Sequence, residues 1–528
     1  MMSTPALFVR FLPRLALAGL VAALLAVPGC GGGGGGDNTP PPPDEGPPVN
    51  GPAWSGFGHD AQHTAVSAIA TQGLGQIFWN APLDLAPTRN PDGSLTTHYG
   101  SPLITSHNTV LMPVKTGSGG AFRVEARSGH TGVLRWSLTS DYMTPAHNWF
   151  PSFNPVLANG RLVMPMAGGR LMLRDDPESA TGTTTTVAFY GDSAYNAAPA
   201  TYNATVLINT GLTADSQGNV YFGFQVTGAN PAGVVSGFAR LGADGSVKSI
   251  PVATASGDAS MVKPAMNGAP ALSGDGRTLY VVVNSAATPP TGRLVALDSA
   301  TMTARGSVLL RDPKSNAAAW VSDDSTASPT VGPDGDVYIG VLESPQGTHN
   351  FRGWLLHFDA TLAQAKAPAA FGWDITASVV PKAMLGTQYT GSSLYLLMIK
   401  YNNYGGAAGG NGQNQVAIVD PVQTQTDTIS GIPVMREVIT KLGPTPDSDV
   451  PGGVKEWCIN TAAVDPFTSS VLVNSEDGTL YRWHLPSNSF TERIALNNGI
   501  AESYTPTAVG ADGRVYVVNN ATLFSIGQ

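Results

Sequence analysis

The architecture of the chain is plainest in Ser328-Pro-Thr-Val-Gly-Pro-Asp-Gly-Asp-Val-Tyr-Ile-Gly340, where two short apolar runs flank an Asp-Gly turn. The same plan recurs in Ala269-Pro-Ala-Leu-Ser-Gly-Asp-Gly-Arg-Thr-Leu-Tyr-Val-Val282 and in Thr505-Pro-Thr-Ala-Val-Gly-Ala-Asp-Gly-Arg-Val-Tyr-Val-Val518. Such runs predict antiparallel strands joined by hairpins, because Gly accepts the positive φ that a tight turn requires. Repetition at a fixed period predicts a repeat architecture.

One small sheet cannot bury both of its faces, whereas copies arranged in a ring bury each sheet against its neighbours. The sequence therefore predicts an all-β fold, a β-propeller of four-stranded antiparallel blades. We expect eight blades, with first strands that begin near Pro102, Pro155, Leu212, Pro270, Pro329, Met384, Ala462 and Pro506. The units near Met384 and Ala462 match the plan least well, which leaves seven blades as the alternative.

The ends of the chain predict how the ring closes. The last copy stops at Gln528 after about three strands, whereas the first copy continues into a fourth, Gly132-Val-Leu-Arg-Trp136. A run of the same form, Gly75-Gln-Ile-Phe-Trp79, precedes the first copy. We expect this N-terminal strand to complete the last blade, which would leave no open sheet edge at the closure.

Residues 1–29 have the features of a secretory signal: Arg10 and Arg14, no acidic residue, and an apolar run too short to span a membrane. The run ends in Val27-Pro-Gly-Cys30, which resembles the lipobox of bacterial lipoproteins, so Cys30 is expected to carry the lipid. Gly31 after the cysteine resembles the outer-membrane sorting signal. An ordinary cleaved signal is the alternative.

Residues 30–52 follow as a linker, with six consecutive glycines and four consecutive prolines. Such a composition cannot bury enough apolar surface to fold by itself. Residues 53–528 are expected to form the propeller domain.

Composition excludes several classes of function. The net charge of −9 argues against nucleic acid as a partner and leaves the lipid anchor as the only expected contact with a membrane. With Cys30 lipidated, Cys458 is the only remaining thiol, so no disulfide can form within the chain. Sheet packing must stabilise the domain.

The segment Trp54-Ser-Gly-Phe-Gly-His-Asp-Ala-Gln-His-Thr-Ala-Val-Ser67 has two interpretations. His59, Asp60 and His63 would suit a metal if they lay on one helical face. However, the segment also resembles the Trp…Phe-x-x-Asp-x-x-x-Thr opening of many eight-bladed propellers of the PQQ-like, or quinoprotein-like, superfamily. That resemblance favours structural packing.

The blades carry the same resemblance. Val124-Glu-Ala-Arg-Ser-Gly-His-Thr-Gly-Val-Leu-Arg-Trp136 is similar to the tryptophan-docking repeat of that superfamily, and Leu294-Val-Ala-Leu-Asp298 and Val416-Ala-Ile-Val-Asp420 match its first half. Enzymes of the superfamily hold a quinone in the axial funnel with calcium bound by Glu, Asn and Asp, and often with two adjacent cysteines. Here Trp457-Cys458 offers one cysteine, and no such triad can be assigned, so we expect no cofactor, no metal and no catalytic residues.

Loop lengths distinguish the two faces of the disc. The turns between first and second strands are short, whereas the connections between second and third strands and the crossings between blades are long. Because the long connections share one face, that face is expected to bind a partner. Aromatic residues suited to an interface lie in those connections: Tyr142, Trp149, Trp320, Tyr401, Tyr404 and Trp457. Some of these rings could instead pin their own loops.

Together these features predict a lipid-anchored, extracytoplasmic propeller of the bacterial envelope, and the resemblance to that sorting signal predicts that it is anchored in the outer membrane. The chain looks more like the non-enzymatic outer-membrane assembly lipoproteins than the dehydrogenases. We expect a binding or assembly scaffold for an envelope protein or glycan. The alternative is a quinone- or metal-dependent enzyme that acts on an alcohol or glycan in the funnel.

Overall fold

The computed structural model describes residues 46–91, 93–497 and 504–528. The expected signal peptide, Cys30 and most of the linker lie outside the described residues. Among those residues, no helix is long and apolar enough to cross a membrane.

The strands form eight sheets, each built mainly from four antiparallel strands, so the prediction of eight blades is confirmed and the alternative of seven is wrong. The chain begins with β1 (Gln76–Pro82), which belongs to the last sheet. Blade 1 holds β2 (Leu103–Ile104), β3 (Thr109–Lys115), β4 (Phe122–Ser128) and β5 (Leu134–Ser140), and blade 2 holds β6 (Val156–Ala158), β7 (Arg161–Pro165), β8 (Arg170–Arg174) and β9 (Thr184–Ala188). Blades 3 and 4 hold β10 (Val206–Ile208), β11 (Thr213–Ala214), β12 (Val220–Val226), β13 (Gly237–Leu241), β14 (Val247–Pro251), β15 (Met261–Pro264), β16 (Ala271–Leu272), β17 (Thr278–Ser285), β18 (Gly292–Asp298) and β19 (Ala304–Leu309).

Blades 5 and 6 hold β20 (Thr330–Val331), β21 (Val337–Val341), β22 (Trp354–Phe358), β23 (Ala365–Ala369), β24 (Ser378–Pro381), β25 (Tyr395–Tyr401), β26 (Gln415–Thr426) and β27 (Pro433–Leu442). Blades 7 and 8 hold β28 (Ala463–Asp465), β29 (Ser470–Asn474), β30 (Thr479–His484), β31 (Ser489–Ala495), β32 (Ala508–Val509), β33 (Val515–Asn519) and β34 (Thr522–Gly527). Short α-helices span Asp192–Ala197, Pro199–Thr205 and Val252–Ser256, and 3-10 turns span Ala167–Gly169, Lys382–Gln388 and Gly406–Ala408.

Strand β1 closes the ring as predicted. It pairs antiparallel with β34, with Gln76 opposite Gly527 and Pro82 opposite Thr522. The resulting sheet has the order β1-β34-β33-β32, so the last blade joins both ends of the chain.

One predicted blade start is wrong. The first strand of blade 6 begins at Ser378, and Met384 lies beyond it in the turn Lys382–Gln388. Met384 and Leu385 are buried there, so their apolar character reflects packing of a turn against the core. An apolar pair in a compact turn and one in a short strand look alike in sequence.

A ring of hydrogen bonds joins each blade to the next beside the axis, where a small polar residue often precedes the first strand. The bonds run from Ser101 N to Asn154 Oδ1 (2.6 Å), Leu212 N to Asn154 O (3.3 Å), Asn267 N to Asn209 O (2.9 Å), Ala269 N to Ser328 Oγ (2.9 Å), Ser328 N to Thr376 Oγ1 (2.9 Å), Thr376 N to Asn460 O (3.1 Å), Thr507 N to Thr461 O (3.3 Å) and Thr505 Oγ1 to Tyr99 O (3.2 Å). Every junction between neighbouring blades is bridged.

The disc has two different faces. The turn face carries the connections between first and second strands, among them residues 274–277 and 511–514. The long-loop face carries the crossings between blades and the connections between second and third strands, such as 227–236 and 402–414.

Residues 51–72, which we call the belt, run along the inner strands near the turn face. The belt bonds to seven blades, through Trp54 N to Ile104 O (2.8 Å), Leu157 N to Ser55 O (2.8 Å), Leu272 N to Ala61 O (2.7 Å), Val331 N to Gln62 O (3.0 Å), Val379 N to Thr64 O (2.9 Å), Val464 N to Ala65 O (2.9 Å) and Gln72 N to Gly513 O (2.8 Å). A segment outside the blades therefore links nearly all of them.

The side chains of Asp60 and His63 make hydrogen bonds that hold the belt. Asp60 accepts from the backbone amides of Gln62 (3.1 Å) and Thr64 (3.0 Å). His63 is buried, and its Nδ1 lies 2.8 Å from the carbonyl oxygen of Pro329. These contacts are the kind that the interpretation of residues 54–67 as a structurally packed segment predicts.

We predict that deleting residues 31–72 destabilises the propeller, whereas deleting 31–45 leaves its melting temperature unchanged. The longer deletion removes the belt but keeps β1, and each lost hydrogen bond contributes about 0.5–1.5 kcal/mol net. Thermal unfolding of the two variants measures the difference. Equal melting temperatures would show that the belt does not stabilise the ring.

We also predict that His63 makes stability depend on pH. Burial lowers the pKa of His63 to about 4, although the Pro329 carbonyl and Asp60 favour its protonated form. As the pH falls from 6.5 towards 4, the unfolded chain takes up this proton before the folded one does, so stability is lost across that window. The loss is on the order of 3 kcal/mol.

His63→Asn is the matched control, since the asparagine amide nitrogen can replace Nδ1 as a donor but does not titrate. Urea unfolding at pH 7 and pH 4.5 should show a smaller loss for the variant than for the unaltered chain. Identical losses would assign the pH dependence to other groups.

Candidate functional site

Charged and aromatic side chains from five blades meet at the axis on the long-loop face. They lie in the crossings between blades or at the end of a second strand, which are the parts of each blade beside the axis on that face. We call this group the axial cluster; its members are His98, His147, Trp149, Asp324, Asp374, Lys400 and Tyr504.

Three rings form the aromatic part of the axial cluster. The His98 ring centroid lies 5.1 Å from that of Trp149 and 6.0 Å from that of Tyr504. The ammonium of Lys400 lies 5.7 Å from the centroid of Tyr504, within reach of a cation–π interaction. Blades 1, 2, 6 and 8 therefore meet in one contact group.

A contact between an imidazole and a carboxylate links blades that are not neighbours. Nε2 of His147, in the crossing into blade 2, lies 3.3 Å from Oδ1 of Asp324, in the crossing into blade 5. Because the two crossings start on different sides of the ring, this pair shows that the loops fold inward over the axis.

Lys400 and Asp374 form a buried pair within blade 6. Their side chains are 2% and 5% exposed, and Nζ lies 4.0 Å from Oδ2. The other carboxylate oxygen of Asp374 accepts from the amide (2.7 Å) and the hydroxyl (2.6 Å) of Thr326. Burying both charges is costly, and these donors offset part of the cost.

His98 is buried at the centre of the cluster. Burial lowers the pKa of His98, and the nearby carboxylates of Asp374 and Asp324 and the Asp324 backbone oppose that shift only in part. Neither ring nitrogen makes a well-oriented hydrogen bond to another described group. At neutral pH the ring is therefore a neutral donor and acceptor.

A second group of polar side chains lies in blade 7 on the same face. The carboxylates of Glu456 and Glu476 and the thiol of Cys458 have ligand atoms within 4.8 Å of one another. The thiol donates to Glu476 Oε2 at 3.8 Å. Burial and the nearby Glu456 raise the pKa of the Tyr404 phenol.

The six aromatic residues proposed as partner contacts do not share one environment. Tyr142, Trp149, Tyr401 and Trp457 are buried, and Trp320 and Tyr404 are half-buried. The Tyr142 hydroxyl donates to the Ile208 carbonyl at 2.7 Å, and the Tyr401 hydroxyl donates to Glu437 at 2.7 Å. Trp149 alone belongs to the axial cluster, so the set as a whole does not form one surface, and its role in partner binding stays a prediction.

Sequence reasoning missed most of the axial cluster. It singled out Trp149 but not His98, Asp374 or Lys400, which are far apart in the chain. Their positions in the repeat could have identified them. Each residue lies shortly before a first strand or at the end of a second strand, and these positions are beside the axis on the long-loop face.

The residues do not fit the calcium and quinone that the resemblance associates with the axial funnel. Asp374 and Asn460, a carboxylate and an amide beside the axis, already bond to Thr326, and the carboxylate of Asp324 lies against His147. Asn460 Oδ1 also accepts from Thr461 at 2.8 Å. Cys458 is the only described cysteine. We therefore derive no chemistry through such a cofactor.

Two dehydrogenases are among the solved structures that share the fold of this chain. A europium-containing methanol dehydrogenase aligns with a TM-score of 0.54 at 11% identity, covering 89% of this chain and 90% of that chain. The quinohemoprotein alcohol dehydrogenase from Comamonas testosteroni aligns with a TM-score of 0.52 at 13% identity, covering 90% of this chain and 81% of that chain. Identities this low show the fold alone, which supports the resemblance to PQQ-like propellers at the level of architecture. No protein-family model and no curated protein match the chain.

We predict that Lys400→Met destabilises the domain by about 3–5 kcal/mol, because it leaves the Asp374 carboxylate buried without its cation. The double variant Lys400→Met, Asp374→Asn should be more stable than Lys400→Met alone, since the amide oxygen can keep the bonds from Thr326. Urea unfolding of the four proteins of this cycle measures the coupling. Strictly additive effects would show that the two side chains do not interact.

Proposed function

We propose that the protein is a lipid-anchored, extracytoplasmic scaffold of the bacterial envelope that binds an envelope protein or glycan on its long-loop face. One observation carries this proposal: loops from five blades converge in the axial cluster on that face. Loops held by a rigid ring of blades are where binding residues are usually found.

The chemistry of the axial cluster suits recognition. It places the ring systems of Trp149 and Tyr504 beside the neutral imidazole of His98 and the charges of Lys400 and Asp374. Flat apolar faces beside hydrogen-bonding groups are typical of sites for sugars and for polar protein loops.

The turn face is the weaker candidate for partner binding. Its inner part is occupied by the belt, whose carbonyl and amide groups are used by the inner strands. The alternative, a quinone- or metal-dependent enzyme that acts on an alcohol or glycan, finds less support because Thr326 already bonds to both Asp374 and Asn460.

Attachment to the outer membrane is part of the proposal and rests on the sequence Val27-Pro-Gly-Cys30 followed by Gly31. A thioether-linked diacyl group can form only on Cys30. The acyl chains would contribute about 0.8 kcal/mol per buried CH₂. A non-enzymatic role in envelope assembly is the proposed setting for such an anchored propeller.

Site-specific photo-crosslinking tests which face binds the partner. p-Benzoyl-phenylalanine placed at Met143 or Val235, both exposed on the long-loop face, should crosslink a macromolecule in intact cells. The same probe at Asp275, an exposed residue of the turn face, should not. Protease or glycosidase treatment of the crosslinked product then distinguishes a protein from a glycan.

The Cys30→Ala variant is the control for attachment. It should lose incorporation of labelled palmitate and leave the membrane fraction, and crosslinking at Met143 should fall if the partner is a membrane component. Crosslinks at Asp275 without crosslinks at Met143 or Val235 would place the binding surface on the wrong face and contradict the proposal.

A further inference from the structure

The described chain begins on the turn face. Gly46 lies against the imidazole of His130, in the turn between the third and fourth strands of blade 1. Nδ1 of His107 lies 3.1 Å from the carbonyl oxygen of Val49, and the amide of Gly51 donates to Ser106 at 2.9 Å. The linker toward Cys30 therefore leaves the disc from this face.

The linker is short compared with a protein domain. The stretch from Cys30 to Gly46 can span at most about 55 Å when fully extended. A lipid on Cys30 would hold the turn face near the bilayer surface and the long-loop face away from it.

The three most exposed large apolar side chains among the described residues all lie on the turn face. Leu394 is 71% exposed, and Val422 and Phe467 are each 63% exposed. Leu394 precedes the second strand of blade 6, Val422 lies in the bulge of β26, and Phe467 lies in the first turn of blade 7. Blades 6 and 7 are neighbours, so the three belong to one region of that face.

Buried carboxylates hold two of these side chains outward. Asp420 is fully buried and accepts from the amide of Val422 at 2.9 Å, and it also accepts from the hydroxyl of Ser393, next to Leu394. Asp465 is fully buried and accepts from the amide of Phe467 at 2.9 Å. The turns are therefore fixed with their apolar side chains in solvent.

From these observations we infer that the turn face of blades 6 and 7 rests on the lipid bilayer, with Leu394, Val422 and Phe467 in its interfacial layer. This inference rests on the proposed lipid anchor at Cys30, because the linker selects the face. The bilayer is the favoured occupant since the chain leaves on this same face and its tether is short. The axial cluster then faces away from the membrane, toward the partner.

Spin labelling of the full lipidated chain in vesicles of phosphatidylethanolamine and phosphatidylglycerol tests the inference. Labels are attached to Phe467→Cys on the turn face and, as a matched control, to Val235→Cys on the long-loop face, which is 56% exposed. Cys458 is buried, and labelling of the unaltered chain measures its background. The rates at which the spin label collides with nickel ethylenediaminediacetate and with oxygen report how deeply the label lies in the bilayer.

We expect the Phe467→Cys label to collide with the nickel reagent severalfold less often than the Val235→Cys label, and to collide relatively more with oxygen. Leu394→Ser with Val422→Ser should raise the nickel accessibility of the Phe467→Cys label while the protein still floats with the vesicles. These exposed positions contribute no packing, so the variants should keep the melting temperature of the parent.

Other results would overturn the inference in distinguishable ways. Equal nickel accessibility at the two labels in a chain that floats would leave the anchor intact but reject contact of the turn face with lipid. Protection that disappears on dilution of protein in the vesicles, with dipolar broadening of the spectrum, would assign the apolar region to a second copy of the chain. A chain that does not float would reject the lipid anchor, and the inference with it.

Discussion

The structure depends on closing a ring of eight sheets, and closure is achieved by hydrogen bonds between blades beside the axis. Small polar residues such as Ser101, Asn154 and Ser328 lie where the chain approaches a first strand, and their backbone or side-chain groups bond to a neighbouring blade. Each bond contributes modestly, but a buried polar group left unpaired would cost more than the bond gains. The ring therefore specifies the spacing of the blades, and strand β1 extends the same principle to the chain ends by pairing with β34.

This constraint explains which features could be predicted from the sequence. The Asp-Gly turns and short apolar runs define hairpins locally, so eight blades followed from counting copies. The closing strand followed from the incomplete last copy and the extra run that begins at Gly75. Blade 6 was placed poorly because Met384 and Leu385 are apolar in a turn, where burial and strand propensity give the same pattern. Local periodicity cannot separate these cases, since both elements bury the same residues.

The axial cluster could not be predicted in the same way. His147 and Asp324 pair across the ring, and His98 packs against Tyr504, so each contact joins residues far apart in the chain. Their meeting depends on the inward path of the crossings, which no repeat encodes. The aromatic residues chosen from the sequence show the converse difficulty, because the hydroxyl groups of Tyr142 and Tyr401 donate to Ile208 and Glu437 within the fold.

The two faces of the disc differ because different segments of the chain cover the two ends of the inner strands. On the turn face the belt satisfies the inner strands and leaves the outer turns, including Phe467, in solvent. On the long-loop face the axial cluster covers the axis, and it includes the buried ion pair of Lys400 and Asp374 beside the rings of Trp149 and Tyr504. A buried ion pair adds little net stability compared with well-packed apolar residues. The long-loop face therefore has a polar centre that makes the fold less stable than an apolar centre would. The closed ring holds this polar centre on the face that we propose binds a partner.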